Sequence, residues 1–227
     1  MGRCVLIAGL CCRFLAALGC GGSSNSTTQQ MRVVMASATT PPVDILIDSA
    51  QVATSLAFTN FMPYTPVKTG QHHVQGLAVA NSASLFQQTV AVTASSNLSI
   101  YVTATGSKPA TLVLTDGAGT ATNIVTGDGS VRIINASSNM GPADVYLVNA
   151  GSGIGGVTPV SASLPFNQTT GYQQVAIGNY QVFMTAPGTS NVFLDTGPLA
   201  LTQSQYQTVV AVDGANGGFN YIVLPDQ

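Results

Sequence analysis

The sequence predicts an all-β protein built from two tandem antiparallel β-sandwich domains of the immunoglobulin-like kind. Three observations predict this class: short apolar runs between turn-forming residues, a repeat of about a hundred residues, and a composition poor in charge. Of the 227 residues, 45% are hydrophobic and only 14 are charged, whereas Ser, Thr, Asn and Gln together account for 73. The apolar fraction is large enough to form a core, so the composition argues against a disordered chain.

The first twenty residues have the layout of a secretory leader. A basic residue, Arg3, precedes two apolar runs, and Cys20 follows them directly. This layout resembles a bacterial lipoprotein signal, in which the cysteine is lipidated and becomes the mature N-terminus. We therefore expect a signal peptide over residues 1–20, lipidation at Cys20, and a flexible polar tether over residues 21–30.

Three other interpretations of this N-terminus stay open. Translation could start at Met31 and give a cytoplasmic protein, the leader could stay as a membrane helix, or ordinary cleavage could give a secreted protein. A membrane helix needs about 20 apolar residues, and Arg13 interrupts the run. We therefore expect the protein in the cell envelope, held at the outer or cytoplasmic membrane by the lipid at Cys20, with secretion as the alternative.

Two copies of one unit follow the tether. Residues 32–37 read Arg-Val-Val-Met-Ala-Ser, and residues 132–137 read Arg-Ile-Ile-Asn-Ala-Ser at an offset of 100. Units of roughly a hundred residues have the usual size of a domain. We therefore place one β-sandwich at residues 31–128 and the second at residues 129–227.

The second copy carries a short insertion. Later matches, such as Tyr64 with Tyr172, lie at an offset of 108, because the second copy is longer at its glycine-rich residues 150–156. We expect this insertion to form a surface loop. The two copies also end in similar sequences, with Leu-Val-Leu-Thr-Asp at residues 112–116 and Ile-Val-Leu-Pro-Asp at residues 222–226.

Each copy contains short runs that are rich in β-branched or aromatic residues and bounded by Gly, Pro, Asn or Asp. The clearest runs are residues 90–93, 98–103, 180–184 and 206–212. Such spacing is typical of an antiparallel sandwich. No long segment shows helical periodicity with caps, so we expect very little helix.

One Arg and one Asp recur twelve residues apart in both copies, as Arg32 with Asp44 and Arg132 with Asp144. If the first two strands of a copy form a hairpin around the loop that joins them, this Arg reaches the Asp diagonally on one face. We interpret each pair as a structural ion pair that fixes the register of the hairpin. A ligand-binding carboxylate is the alternative.

The same residues carry a family resemblance. The pattern Arg-Val-Val-x-Ala-Ser, a loop ending in Pro, and then x-Asp-Ile-Leu-Ile resembles the opening signature of the bacterial family called domain of unknown function 4397. The resemblance covers residues 31–227 as two units, although family members often carry His where Met35 and Asn135 stand. It implies an extracytoplasmic β domain, commonly on a signal-bearing or lipidated envelope protein, with no catalytic residues to carry over. The repeated signature residues are Arg32, Pro42, Asp44, Arg132, Pro142 and Asp144.

Few residues suggest catalysis or metal binding. The only histidines, His72 and His73, are adjacent and would point to opposite faces of a strand, so we expect an exposed loop or strand-edge role for them. Asp116, Asp128 and Asp213 each precede Gly, a sequence that favours turns. Paired-carboxylate catalysis and calcium binding are the alternatives for these aspartates, and we predict no metal and no cofactor. All four cysteines lie in the leader, so we expect no disulfide in the folded body.

These observations together predict a non-catalytic structural or adhesive module on the cell envelope, with a polysaccharide or a protein at the cell surface as its partner. Nucleic acid is excluded as a partner, because phosphate recognition depends on Lys and Arg and the chain has six of them. Two alternatives stay open: an envelope hydrolase with a noncanonical site, and a subunit of an extracellular assembly joined through exposed sheet edges.

Overall fold

The computed structural model describes residues 28–117 and 127–226, which form seventeen β-strands and no α-helix. The predicted all-β class is therefore confirmed. The predicted signal peptide, Cys20 and tether residues 21–27 lie outside the described residues. The first strand begins at Thr28, so the last three residues of the segment predicted as a tether belong to a strand.

The first repeat contains eight strands in two sheets. One sheet has the order β4-β1-β7-β8 and the other has the order β3-β2-β5-β6. The strands are β1 (Thr28–Met35), β2 (Val43–Ile47), β3 (Ala50–Leu56), β4 (Thr65–Lys68), β5 (Gly70–Ala78), β6 (Ser84–Val92), β7 (Asn97–Thr105) and β8 (Lys108–Asp116).

The second repeat contains nine strands in the same arrangement. Its sheets have the orders β12-β9-β16-β17 and β11-β10-β13-β14, and β15 also pairs with β13. The strands are β9 (Asp128–Asn135), β10 (Ala143–Asn149), β11 (Ser161–Leu164), β12 (Gln168–Ala176), β13 (Gly178–Thr185), β14 (Val192–Asp195), β15 (Leu199–Leu201), β16 (Tyr206–Asp213) and β17 (Phe219–Asp226). The four segments chosen from the sequence as strands lie in β6, β7, β13 and β16, apart from the final residue of the first.

The sheet β4-β1-β7-β8 and the sheet β12-β9-β16-β17 are the inner sheets, because each is covered on both faces. Side chains alternate along a strand, so successive residues of β1 enter different cores. Val33 packs into the core of the first repeat, whereas Val34 packs into a third core shared by both repeats. Ile133 and Ile134 divide in the same way in the second repeat. This double coverage explains why residues on both faces of each opening strand are buried.

The opening strand of each repeat pairs in parallel with a late strand, and this corrects the predicted hairpin. β1 lies between β4, which is antiparallel to it, and β7, which is parallel to it, so Arg32 stands beside Ser99. β9 lies likewise beside β16, with Arg132 next to Thr208. Because β2 belongs to the other sheet, Asp44 is not a cross-strand neighbour of Arg32.

No helix within residues 28–117 and 127–226 has both the length and the apolar character needed to cross a bilayer.

Candidate functional site

Arg32 projects from the inner sheet of the first repeat into the boundary between the repeats. Its Nε donates to Ser99 Oγ at 2.6 Å, and one terminal nitrogen donates to the backbone oxygen of Pro225 at 2.7 Å. Its other terminal nitrogen pairs with the carboxylate of Asp226. The guanidinium also lies 4.6 Å from the ring centre of Tyr64. Arg32 is therefore bound mainly by the last strand of the other repeat.

Arg132 repeats this arrangement from the opposite side. Its Nε donates to Thr208 Oγ1 at 3.0 Å, and one terminal nitrogen donates to the backbone oxygen of Thr115 at 2.9 Å. The other terminal nitrogen donates to Asp116 Oδ1 at 2.6 Å. The guanidinium lies 4.6 Å from the ring centre of Tyr172. Each Arg thus pairs with the Asp that ends the other repeat.

Two hydroxyl groups close these contacts into a ring. Ser99, which accepts from Arg32, donates to Asp116, and Thr208, which accepts from Arg132, donates to Asp226. We call this closed circuit of side chains the interdomain ring; its members are Arg32, Ser99, Asp116, Arg132, Thr208 and Asp226. Two guanidinium groups and two carboxylates balance one another, so the ring has no net charge.

A tyrosine of each repeat supports its own carboxylate. Tyr64 donates to Asp116 Oδ2 at 2.8 Å, and Tyr172 donates to Asp226 Oδ2 at 2.6 Å. Burial raises the pKa of both phenols, and the adjacent carboxylates raise it further. Each tyrosine therefore stays a protonated donor while its ring covers an arginine.

The ring is sealed from water. The side chains of Asp116 and Asp226 are 0% exposed, and those of Arg32 and Arg132 are 1% and 3% exposed. Burial raises the pKa of Asp116 more than Arg132 lowers it. Burial alone would lower the pKa of Arg132, but the oxygens of Tyr101, Tyr172 and Asp116 around it more than reverse this effect. Removing one member of such a buried pair leaves the other charge uncompensated, which is strongly destabilising.

An apolar core lies beside the ring and is shared by both repeats. The first repeat contributes Val34, Ala36 and Tyr101, and the second contributes Ile134, Ala136, Val210, Val212, Ile222 and Leu224. Burial of these side chains supplies affinity between the repeats, whereas the ring fixes their relative register, because each guanidinium accepts only a narrow range of partner positions.

The predicted ion pairs between Arg32 and Asp44, and between Arg132 and Asp144, are therefore wrong. Asp44 Oδ1 instead accepts the backbone N–H of Ser55 at 2.9 Å. Asp144 Oδ1 accepts the backbone N–H of Ser163 at 2.7 Å, and its Oδ2 accepts the N–H of Gly188.

Ser55 and Ser163 occupy equivalent bulges. Their φ angles are 49° and 51°, in the left-handed region that non-glycine residues rarely adopt. The register of β3 against β2, and of β11 against β10, shifts at these positions. The signature Asp of each repeat therefore stabilises a β-bulge, which is a structural role different from the predicted one. Pro42 and Pro142 are exposed at the end of the loop that precedes β2 and β10.

The prediction that Asp116 forms a turn is also wrong, because this residue ends β8 inside the interdomain ring. Asp128 begins β9, and Asp213 ends β16, where it accepts hydrogen bonds from Ser137, Ser138 and Asn139. In the described parts of the chain, no three His, Cys or acidic side chains are grouped to hold a metal ion.

The two histidines lie within β5 rather than in a loop. His73 is exposed, but the side chain of His72 is only 12% exposed. Its Nδ1 lies 2.6 Å from Asp48 Oδ2, and its Nε2 lies 2.6 Å from the backbone oxygen of Lys68. Partial burial alone would lower the pKa of His72, but these two hydrogen bonds raise it. Both ring nitrogens are thus used to join the turn after β2 to the corner between β4 and β5.

The comparison with protein families agrees with this duplicated architecture. The model of the domain of unknown function DUF4397 matches residues 29–146 and, in a second overlapping match, residues 129–227. The chain belongs to the DUF4397 family. No curated protein matches the chain. The interdomain ring is therefore formed between two DUF4397 units, each of which supplies one Arg and one Asp.

Proposed function

We propose that this protein is a lipid-anchored, extracytoplasmic DUF4397 module whose two β-sandwiches act as one rigid, non-catalytic unit for binding at the cell surface. The observation that carries the proposal is the interdomain ring. A covalently linked pair of domains needs no buried ion pairs to stay together. Buried ion pairs between domains are useful where the relative position of two sets of loops must be constant.

The distribution of charge supports the same function. The ring removes Arg32 and Arg132 from the surface, which leaves Lys68 and Lys108 as the basic residues of the described body. The outer surface is therefore solvated mainly by Ser, Thr, Asn and Gln. Such a surface suits recognition of a neutral or cationic partner and does not attract anionic lipid headgroups, so attachment to a membrane would depend on the lipid at Cys20.

The geometry around His72 weighs against a histidine-based form of the envelope hydrolase. A histidine base needs one ring nitrogen oriented by a carboxylate and the other facing a nucleophile. His72 has the carboxylate of Asp48 on Nδ1, but its Nε2 faces the backbone oxygen of Lys68. A peptide oxygen cannot act as a nucleophile in that position.

Mass spectrometry of the mature N-terminus tests the anchor. We expect an N-terminal peptide that begins at Cys20 and carries acyl chains, and we expect Cys20→Ser to release the protein from the membrane fraction. A mature chain that begins at Met31, or an unmodified N-terminus beyond Cys20, would contradict the anchored form of the proposal.

Affinity capture tests the binding function. The mature protein would be presented to a glycan array and, separately, to a cross-linked cell-surface extract, with Arg132→Met, first checked by circular dichroism to be folded, as the variant in which the ring is broken. We expect a saturable partner that is lost with this variant. Equal capture by both proteins would show that a fixed arrangement of the repeats is not needed.

A further inference from the structure

A small cavity lies at one end of the boundary between the repeats. Its volume is about 140 Å³. It is formed by the β1–β2 loop and the β7–β8 turn of the first repeat, and by the β9–β10 loop and the β16–β17 turn of the second. Both repeats therefore contribute to its walls.

Two of the hydroxyl groups that line the cavity already use their protons within the protein. Thr39 Oγ1 donates its proton to the backbone oxygen of Gly106 at 2.7 Å. Ser138 Oγ donates its proton to Asp213 Oδ2 at 3.3 Å. A hydroxyl has one proton and two lone pairs, so both groups are left with lone pairs only for a ligand. A ligand that binds these two hydroxyl groups must bring the hydrogen-bond donors.

Asp213 supplies the charge of the cavity. Its Oδ1 accepts the hydroxyl of Ser137 and, at 3.3 Å, the backbone N–H of Asn139. Its Oδ2 accepts Ser138 alone among the described residues. A carboxylate has about four acceptor positions, so Oδ2 has one left for a ligand. Of the described residues that line the cavity, none is Lys or Arg, so no lining cation balances this carboxylate.

Part of the remaining wall is formed by alanines. Ala36, Ala104 and Ala136 are buried, whereas Ala38 and Ala215 are more exposed. The volume is below the roughly 300 Å³ of sites for drug-sized ligands. A slot with alanine walls and a carboxylate fits an aliphatic stem that ends in a donor group better than a ring with hydroxyls on its whole perimeter.

We propose that this cavity binds the ammonium group of a lysine side chain from a protein partner. The three N–H donors of the ammonium would reach Asp213 Oδ2, Ser138 Oγ and Thr39 Oγ1, and its methylene stem would lie along the alanines. This proposal rests on the binding function proposed above and names the chemistry of one contact in it.

A nuclear magnetic resonance titration of the mature protein tests this assignment. The probe is lysine with both backbone ends blocked, and its neutral match is blocked norleucine. We expect the backbone signals of Gly106, Asn139 and Gly214 to shift with the lysine probe and to stay in place with norleucine. The binding should weaken as salt is added, because one exposed ion pair supports it.

Two variants locate the site. Asp213→Asn keeps the shape of the side chain and should weaken binding roughly tenfold, because a charge-assisted contact becomes a neutral one. Ala215→Trp leaves the carboxylate intact and should block the exposed mouth of the slot. Asp128→Asn removes one charge elsewhere and should leave binding unchanged. All three variants should give the same unfolding temperature within a few degrees, which separates lost binding from lost structure.

Each outcome decides the assignment. Loss of binding in Asp213→Asn and Ala215→Trp, but not in Asp128→Asn, supports it. Equal or tighter binding of glucosamine would assign the cavity to amino sugars instead. Binding of glucose or norleucine would show that the cavity does not require an ammonium group, which would contradict the assignment. No shift with any probe would refute this site, while the lipid anchor and the capture of a partner would still be judged by their own experiments.

Discussion

The two halves of the interdomain ring use the same residues in different surroundings. Arg32 and Arg132 both contact a hydroxyl, a peptide oxygen, a carboxylate and a tyrosine ring. Only Arg132 also donates to Tyr101, at 3.1 Å, because the matching position in the other repeat is Val210. Arg132 also lies 3.8 Å from Asp226. The shared contacts hold the repeats together. The extra contacts predict that Arg132 contributes more to stability than Arg32.

The environment beside each arginine differs as well. A groove of about 370 Å³ runs past Arg132 and is lined by Thr169 and Gly171, among others. The equivalent positions in the first repeat are Phe61 and Pro63, which are bulkier. The two copies have therefore diverged around the ring while its four charges are still present. Charges in a buried network constrain one another, because the loss of any one leaves its partner unpaired.

The largest expected effect comes from breaking one ion pair of the ring. Arg132→Met should lower the free energy of unfolding of the whole chain by about 3–5 kcal/mol, because Asp116 is left buried and unpaired. Arg32→Met should act in the same direction but less strongly, since Arg32 lacks the tyrosine hydrogen bond. Urea unfolding followed by circular dichroism measures both.

Lys108→Met is the matched control for these two variants. Lys108 is an exposed cation at the start of β8, so its loss should change the stability by less than about 0.5 kcal/mol. If the three variants behaved alike, the ring would not contribute to stability.

A smaller effect is expected from the two bulge aspartates. Asp144→Ala should cost about 1.5–3 kcal/mol, because two backbone N–H groups at 2.7 Å lose a charged acceptor. Asp44→Ala should cost less, since Asp44 is more exposed and holds Ser55 at 2.9 Å. Thermal unfolding compares the two. A greater loss for Asp44→Ala would contradict this ranking.

The smallest effect concerns His72, and it depends on pH. Its pKa is raised in the folded protein, so its contribution is complete below the unfolded value of about 6.5 and is lost as the pH rises through the folded value. The pKa of Asp48 is lowered, mainly by the N–H of His73 and by His72, so its contribution is lost as the pH falls through that lowered value.

We expect a few tenths of a kcal/mol from this contact, because Asp48 is half exposed. Unfolding free energies of the original chain and of His72→Gln, measured between pH 5 and pH 9, should converge at high pH. His73→Gln, the control, should follow the original chain throughout. Curves for His72→Gln that stay parallel to those of the original chain would disprove the role of the imidazolium.

The sequence predicted the class and the duplication because both depend on local patterns. Strand runs such as residues 206–212 and the copy at an offset of 100 are visible without any tertiary information. It also identified Arg32 and Arg132 as a repeated pair of interest. Their partners were missed because Arg132 pairs with a residue of the preceding repeat and Arg32 pairs with one 194 positions away.

Three signals in the sequence pointed toward the ring. Asp116 and Asp226 close the two copies alike, and Tyr64 matches Tyr172. The opening strand of each copy also lacks the polar alternation of a half-exposed strand, so a charge within it must be buried and needs a partner. The prediction of a simple hairpin gave each arginine a partner in the next strand, so no distant partner was sought. The parallel pairing of the first strand with a late strand depends on contacts distant in sequence, which local patterns do not reveal.

The central claim is that each repeat supplies the arginine that pairs with the other repeat's aspartate. A double-mutant cycle on the unfolding free energy tests it most directly, with Arg132→Met combined first with Asp116→Leu and then with Asp144→Ala. We predict a coupling of about 1–3 kcal/mol for Arg132 with Asp116, and additivity within about 0.5 kcal/mol for Arg132 with Asp144. Strong coupling to Asp144 together with additivity for Asp116 would contradict the claim.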